Sequence, residues 1–101
     1  MAEVSRFLEV PAEHPIFAGH FPGRPIVPGV MLLEWVLNEV GVTLGRAPSR
    51  LRIRESKFFA PLAPGERAQL SFDIGEARCA FQIQREGNPV ARGVVEWDAH
   101  A

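Results

Sequence analysis

A single cysteine, Cys79, in 101 residues excludes an internal disulfide and fits a reducing compartment. It lies between Arg78 and Ala80 in a strand-like run, where a thiol is expected to pack rather than to attack. An excess of either charge is also lacking. Eleven Lys and Arg against twelve Asp and Glu leave a net charge of −1, so nothing draws the chain globally to nucleic acid or to an anionic membrane. No apolar run reaches the roughly 18 to 20 residues that span a bilayer. The N-terminus has no basic segment followed by an apolar one, as a secretion signal requires. No repeat, low-complexity tract or linker interrupts the chain. These absences lead to the expectation of one cytoplasmic domain, residues 1–101, with room for one core but near the size at which partners help.

Proline and glycine are unevenly spread. Between His14 and Gly29, prolines at 15, 22, 25 and 28 and glycines at 19, 23 and 29 preclude regular structure. Fixed proline φ angles make that loop stiff. A short strand is expected before it, over Ser5 to Val10. Val30 to Val40 reads as a helix, with Pro28 near its start and Gly41 as its stop. Its apolar side chains (Val30, Met31, Leu32, Leu33, Trp35, Val36, Leu37, Val40) occupy nearly the whole circumference, the pattern of a buried helix. Beyond Gly45 to Ser49, strands are expected over about Arg50 to Phe59, Arg67 to Ile74, Arg78 to Arg85 and Val90 to Trp97. The breaks fall at residues 60–65, at Gly75-Glu76 and at Gly87-Asn88-Pro89. Short links imply antiparallel pairing. The fold class is therefore α+β, an antiparallel sheet of about five strands wrapped around one central helix.

Chemistry concentrates in residues 20–34, HFPGRPIVPGVMLLE. His20 stands at the head of the stiff loop, where little rotational freedom remains to be lost when it meets a substrate proton. A loop histidine is also an ordinary surface residue. Glu34 is the lone acid in the first turns of the apolar helix, with Asn38 one turn on at i+4. Burying an unpaired carboxylate costs several kcal/mol, and such an acid is held neutral, ready to donate a proton. The competing reading makes Glu34 and Asn38 a narrow wet stripe. Gly29 and Val30 begin the helix with free N–H groups at the positive end of its dipole, and Gly29 has no side chain to keep a carbonyl away. Glu34 lies about 7.5 Å further along the axis. His14 and His20 have no third ligand at metal spacing and no soft cysteine partner, so no metal is expected. The PxxP spacing in the loop runs straight into a buried helix and is not free for a partner groove.

His20, Phe21, Pro22, Gly23, Pro25, Pro28, Gly29, Val30 and Glu34 together resemble the signature of the FabA/FabZ-type β-hydroxyacyl-acyl-carrier-protein dehydratases, which have the hot-dog fold. The likeness includes the 14-residue step from histidine to acid, and Pro15, Phe17 and Gly19 fit upstream. Downstream, Lys57-Phe58 followed by residues 61–66 fits as well, and the resemblance covers about residues 5 to 97. It implies that His20 is the catalytic base, Glu34 the catalytic acid and Gly29, with Val30, the donor to the thioester carbonyl. It further implies an acyl carrier protein as partner, no cofactor beyond the carrier's own phosphopantetheine, and a homodimer whose active sites draw histidine and acid from different subunits, a higher oligomer being left open. Asn38 takes an orienting amide position, and Phe17, Phe21, Pro28, Met31, Trp35 and Phe58 the walls of a substrate tunnel.

The chain departs from that pattern at Trp35, much bulkier than the usual alanine, at Asn38, one methylene shorter than glutamine, and at Phe59, where a basic residue is common. Its late start is similar to the compact dehydratases of aryl-polyene-type pathways (ApeI-like). Arg52 and Arg54 alternate along one strand with Arg50, and together with Lys57 and Arg24 they are the residues expected to dock an acidic carrier. A merely solvated strand face explains them equally. Two alternatives to dehydration stay open: a thioesterase of the same fold using Glu34 to activate water, and a non-catalytic acyl-binding subunit.

Overall fold

The computed structural model describes residues 2–15 and 26–98. The chain runs β1 (Ala2–Glu9), α1 (Gly29–Leu44), β2 (Arg52–Phe58), β3 (Arg67–Ile74), β4 (Arg78–Arg85) and β5 (Asn88–Glu96). All five strands form one antiparallel sheet in the order β1-β3-β4-β5-β2. Strands consecutive in sequence, β1 and β2, thus occupy opposite edges, and α1 crosses between them. β3, β4 and β5 form a meander because their links are short. The β4–β5 link is a two-residue turn in which Glu86 (φ 51°) and Gly87 (φ 81°) both take positive φ, the geometry that matches strand twist.

β3 and β4 begin and end where their alternation indicates, each burying every second side chain. Leu70, Phe72, Ile74, Cys79, Phe81 and Ile83 point to one face, joined by Val90, Ala91, Val95 and Trp97 from the end of the chain. Leu32, Val36 and Val40 of α1 complete this core. Trp97 is fixed at its rim by Nε1–H donating to the Glu76 carbonyl at 3.1 Å.

Several boundaries differ from expectation; β5 begins at Asn88, so Asn88 and Pro89 belong to the strand and not to the break expected before it, because the turn needs only Glu86 and Gly87. α1 continues through Gly41 and stops at Gly45, which takes the left-handed conformation (φ 74°) and donates its N–H to the Gly41 carbonyl at 2.9 Å. Of the two glycines, only the second is needed at positive φ. β2 begins at Arg52, because Arg50 sits in a turn with φ 56°. β1 starts at Ala2, paired with Ile74.

The larger difference concerns the helix. Its composition suggests burial all round, yet only Leu32, Val36 and Val40 are buried, while Val30 and Val42 are 64% and 68% exposed. One five-stranded sheet can cover only one side of a helix. The opposite side, carrying Val30, Glu34, Asn38 and Val42 at successive i+4 steps, is bare in the single chain.

Cys79 is enclosed in the core as expected, its thiol pushed up from 9.0 to about 12, chiefly by burial and secondarily by the nearby Asp73 carboxylate. Because folding favours the neutral thiol, its contribution is complete below the unfolded value near 9 and is lost as pH rises towards 12. Stability should therefore fall over that window by at most about 1.4 kcal/mol per pH unit, and Cys79→Ala should remove that slope. Equilibrium unfolding at a series of alkaline pH values checks this, as does thiol titration near pH 8, where Cys79 should react only after denaturant is added.

Candidate active site

The helix start is built by two anchors. The Val27 N–H donates to the Leu62 carbonyl at 2.7 Å, tying the end of the loop to the segment after β2. Pro28, at the cap position with φ −59° and ψ 143°, then turns the chain into α1, and its carbonyl accepts from Met31 N–H (3.0 Å) and Leu32 N–H (3.3 Å). Pro28 offers no side-chain cap. Among the described residues, no acceptor meets the N–H groups of Gly29 and Val30. They remain the exposed positive end of the helix dipole.

A cavity of about 420 Å³ opens against this terminus, walled by Val27, Gly29, Leu32, Phe58, Phe59 and Leu62, among others. The Phe58 ring lies directly on the helix start. A Cβ placed on Gly29 would meet its Cε1 and Cζ at 3.0 Å, so a side chain there would have to push the ring aside, whereas glycine leaves room for both the ring and an approaching carbonyl. The chemistry available here is anion or carbonyl binding by two backbone donors beside an apolar wall.

Of the residues expected in the site, Gly29 and Phe58 are brought together on this cavity. Val30 is exposed beside it, and Pro28, Met31 and Trp35 are partly buried against neighbouring core side chains without entering its wall. Glu34 and Asn38 are exposed in the single chain, contrary to the burial expected of the acid. The reason is the one given for the helix: their face has no cover from this chain's own sheet. His20, Phe17, Phe21 and Arg24 lie outside the described residues. Arg52 reaches Asp98 at 2.9 Å and Arg54 reaches Glu96 at 3.6 Å, so both guanidiniums have carboxylate partners in their own chain, as has Arg50 with Asp98 at 3.4 Å. Lys57 makes no ion pair among the described residues.

Reading the sequence alone misses Val27, Leu62 and Phe59 as cavity walls. The Val27–Leu62 bond joins positions 35 residues apart, and nothing in either local stretch announces it. No described group of three His, Cys, Asp or Glu side chains is placed to hold a metal ion, and no helix is long and apolar enough to cross a membrane.

Comparison with known proteins supplies the family. The family model for ApeI-like proteins, described as ApeI dehydratase, matches residues 2–94. The 3-hydroxyacyl-[acyl-carrier-protein] dehydratase FabZ of Chlamydia trachomatis serovar L2 is 41% identical over 94 residues, covering 80% of this chain and 61% of the relative. FabZ of Klebsiella pneumoniae is 35% identical over 106 residues, covering 92% and 66%. The chain spans about half to two thirds of the length of the curated relatives it matches. Among solved structures, the dehydratase heterocomplex ApeI:P from Xenorhabdus doucetiae superposes with a TM-score of 0.85 at 27% identity, covering 93% of this chain and 85% of that one. An (R)-hydratase from A. caviae, at 13% identity and a TM-score of 0.63, shares the fold alone. Helix, strand order and relatives agree: the chain has the hot-dog fold and belongs to the ApeI-like dehydratase family.

Proposed function

We propose that this chain dehydrates (3R)-hydroxyacyl thioesters carried on an acyl carrier protein to trans-2-enoyl thioesters, in fatty-acid or polyene-type biosynthesis in the cytoplasm. The observation that carries the reading is the helix terminus: the Gly29 N–H, without an acceptor among the described residues, stands at the wall of an apolar cavity, five residues before the only carboxylate on that helix face. The thioester oxygen accepts from Gly29 and Val30, which stabilises the enolate-like charge as the Cα–H bond breaks. The imidazole of His20 takes that proton. The C–O bond at the β-carbon breaks with proton donation from Glu34, its carboxyl oriented by Asn38, and water leaves. The protonated imidazole and the carboxylate then exchange their proton with solvent. A base and an acid complete this balance, so the reaction calls for no metal or redox cofactor.

Glu34 needs a water-poor setting that its own chain does not provide, and a second copy supplies it. β2 is an edge strand exposed at all seven positions, including Ile53 and the half-exposed Phe58. An open edge of this kind, mostly polar but with two exposed apolar side chains, is a template for pairing with another strand. The similar Xenorhabdus structure is of a dehydratase heterocomplex, ApeI:P, and thus of an assembly with more than one component. In our reading two copies join along β2, and the site combines His20 of one with Glu34 of the other.

The test is mass spectrometry of a panel of 3-hydroxyacyl carrier proteins after incubation with the protein. Loss of the mass of one water, with the thioester retained, is the expected result. Release of free acid would replace dehydration by thioester hydrolysis, and an unchanged panel would remove the enzymatic reading.

A further inference from the structure

One row of the outer face changes in charge from one edge of the sheet to the other. This row of paired positions crosses all five strands: Ser5, Ser71, Gln82, Arg92 and Lys57. It is neutral and polar at the β1 edge and cationic at the β2 edge. The adjacent row runs Glu3, Asp73, Ala80, Val94 and Glu55, with carboxylates at both ends. A shallow cavity of about 240 Å³ lies between the two ends, bordered by Glu3 and Asp73 on one side and by Gln82 and Arg92 on the other.

Lys57 and Arg92 are directly opposite one another across β2 and β5, both exposed. Like charges in that relation repel, which costs rather than stabilises. Among the described residues neither has a carboxylate within ion-pair distance. Glu55, two residues from Lys57 along β2, bonds to neither. The guanidinium of Arg92 instead lies over the exposed Phe59 ring, 5.6 Å from its centroid. Phe59 in turn belongs to the wall of the cavity at Gly29. Two uncompensated cations and an aromatic platform therefore stand at the corner where the candidate active site meets the outer face. Arg52 and Arg54, by contrast, are already answered by Asp98 and Glu96.

We propose that Lys57, Arg92 and Phe59 form the docking corner for the acidic surface of the carrier protein, and that the internally paired Arg52 and Arg54 contribute little to it. This rests on the reading that the substrate is carrier-bound. The two cations attract that surface to the β2 corner, from which an acyl arm enters beside Phe59.

The experiment measures binding of a fluorescently labelled holo-acyl carrier protein to the full chain by anisotropy, alongside KM for a carrier thioester and for the matching coenzyme A thioester. The double variant K57E/R92E should weaken carrier binding and raise the carrier KM by roughly tenfold or more, with the coenzyme A KM unmoved and binding steeply salt-dependent. R52E/R54E makes the same change in net charge and should have a clearly smaller effect. If the two variants weaken binding equally, or K57E/R92E leaves it unchanged, the corner is not the docking site. An equal rise in the coenzyme A KM would mean that the arm's phosphate is recognised, which also overturns the proposal. Should K57E/R92E fold poorly, K57Q/R92Q removes the charge without reversing it and should weaken binding roughly threefold. A wild-type chain that binds carrier at this corner but forms no enoyl product would sink the dehydratase reading and leave the docking surface standing. A chain that dehydrates coenzyme A thioesters without binding carrier would do the opposite.

Discussion

Glu34→Gln and His20→Ala should each lower the dehydration rate by roughly 10²- to 10⁴-fold, the usual worth of a positioned acid or base. The glutamine substitution is a clean probe. Glu34 is exposed in the single chain and makes no ion pair among the described residues, so losing its charge disturbs little packing. Thermal melts of the two variants should lie within a few degrees of the parent. Because base and acid serve one bond-breaking event, the double variant should be scarcely slower than the worse single one. Mixing the two variants asks where each group comes from. If each site takes its histidine from one copy and its acid from the other, half of randomly exchanged dimers are mixed and each regains one intact site. About a quarter of the parent activity should return. A site contained within one chain regains nothing on mixing. Full turnover by either single variant would remove the proton-transfer roles altogether.

The largest stability effect is expected at Gly93, in the middle of β5. A Cβ there would fall 2.2 Å from the Glu55 carbonyl oxygen and 2.8 Å from Cζ of Phe81. The aromatic ring can yield; the Glu55 backbone is the part that cannot move without loosening β2 from β5. Glu55 lies at the irregularity where β2 changes register between Ile53 and Glu55, with Arg54 as the extra residue. Even Gly93→Ala should cost about 3 kcal/mol or more, at the upper end for overpacking, and lower the melting temperature by roughly 12 to 24 °C. Since the damage falls on the edge strand, dimerisation should weaken in step with stability. Calorimetry and sedimentation velocity on the same samples check both. A variant melting within a few degrees of the parent would show that the close approach relaxes easily.

How much of this could be read along the chain varies by element. β3 and β4 were legible to the residue, because a strand with one buried face alternates and the expected breaks at Gly75-Glu76 and from Gly87 bound them, although Asn88 and Pro89 of the second break proved to belong to β5. The helix was legible as a helix but not in its burial. Its valines, leucines and tryptophan are what a helix enclosed on all sides would carry, and a single chain cannot reveal which of them await another subunit. Two equivalent glycines, Gly41 and Gly45, left its end to tertiary context. The arginine stripe was visible, whereas its neutralisation was not: Asp98 and Glu96 are more than 40 residues away and reach Arg52 and Arg54 only through the β2–β5 register. The cavity wall was hidden for the same reason. Gly29 stood out through its place at the helix start, while Val27 and Leu62 became neighbours through one long-range backbone bond. His20 was singled out by the stiff loop and by its 14-residue distance from Glu34, and it remains an assignment from sequence.

Placing sequence neighbours β1 and β2 at the two margins of the sheet has a kinetic corollary. The β3–β4–β5 meander closes through short loops and can zip early, before much chain entropy has been spent. β2 lies on the same side of the helix as the meander and reaches β5 over shorter stretches of chain, whereas β1 must find β3 across the whole helix and β2, so β1 is the strand placed last. On the reading that copies join along β2, that strand is in place before β1 closes the sheet, so a second copy meets a chain that is still completing its fold.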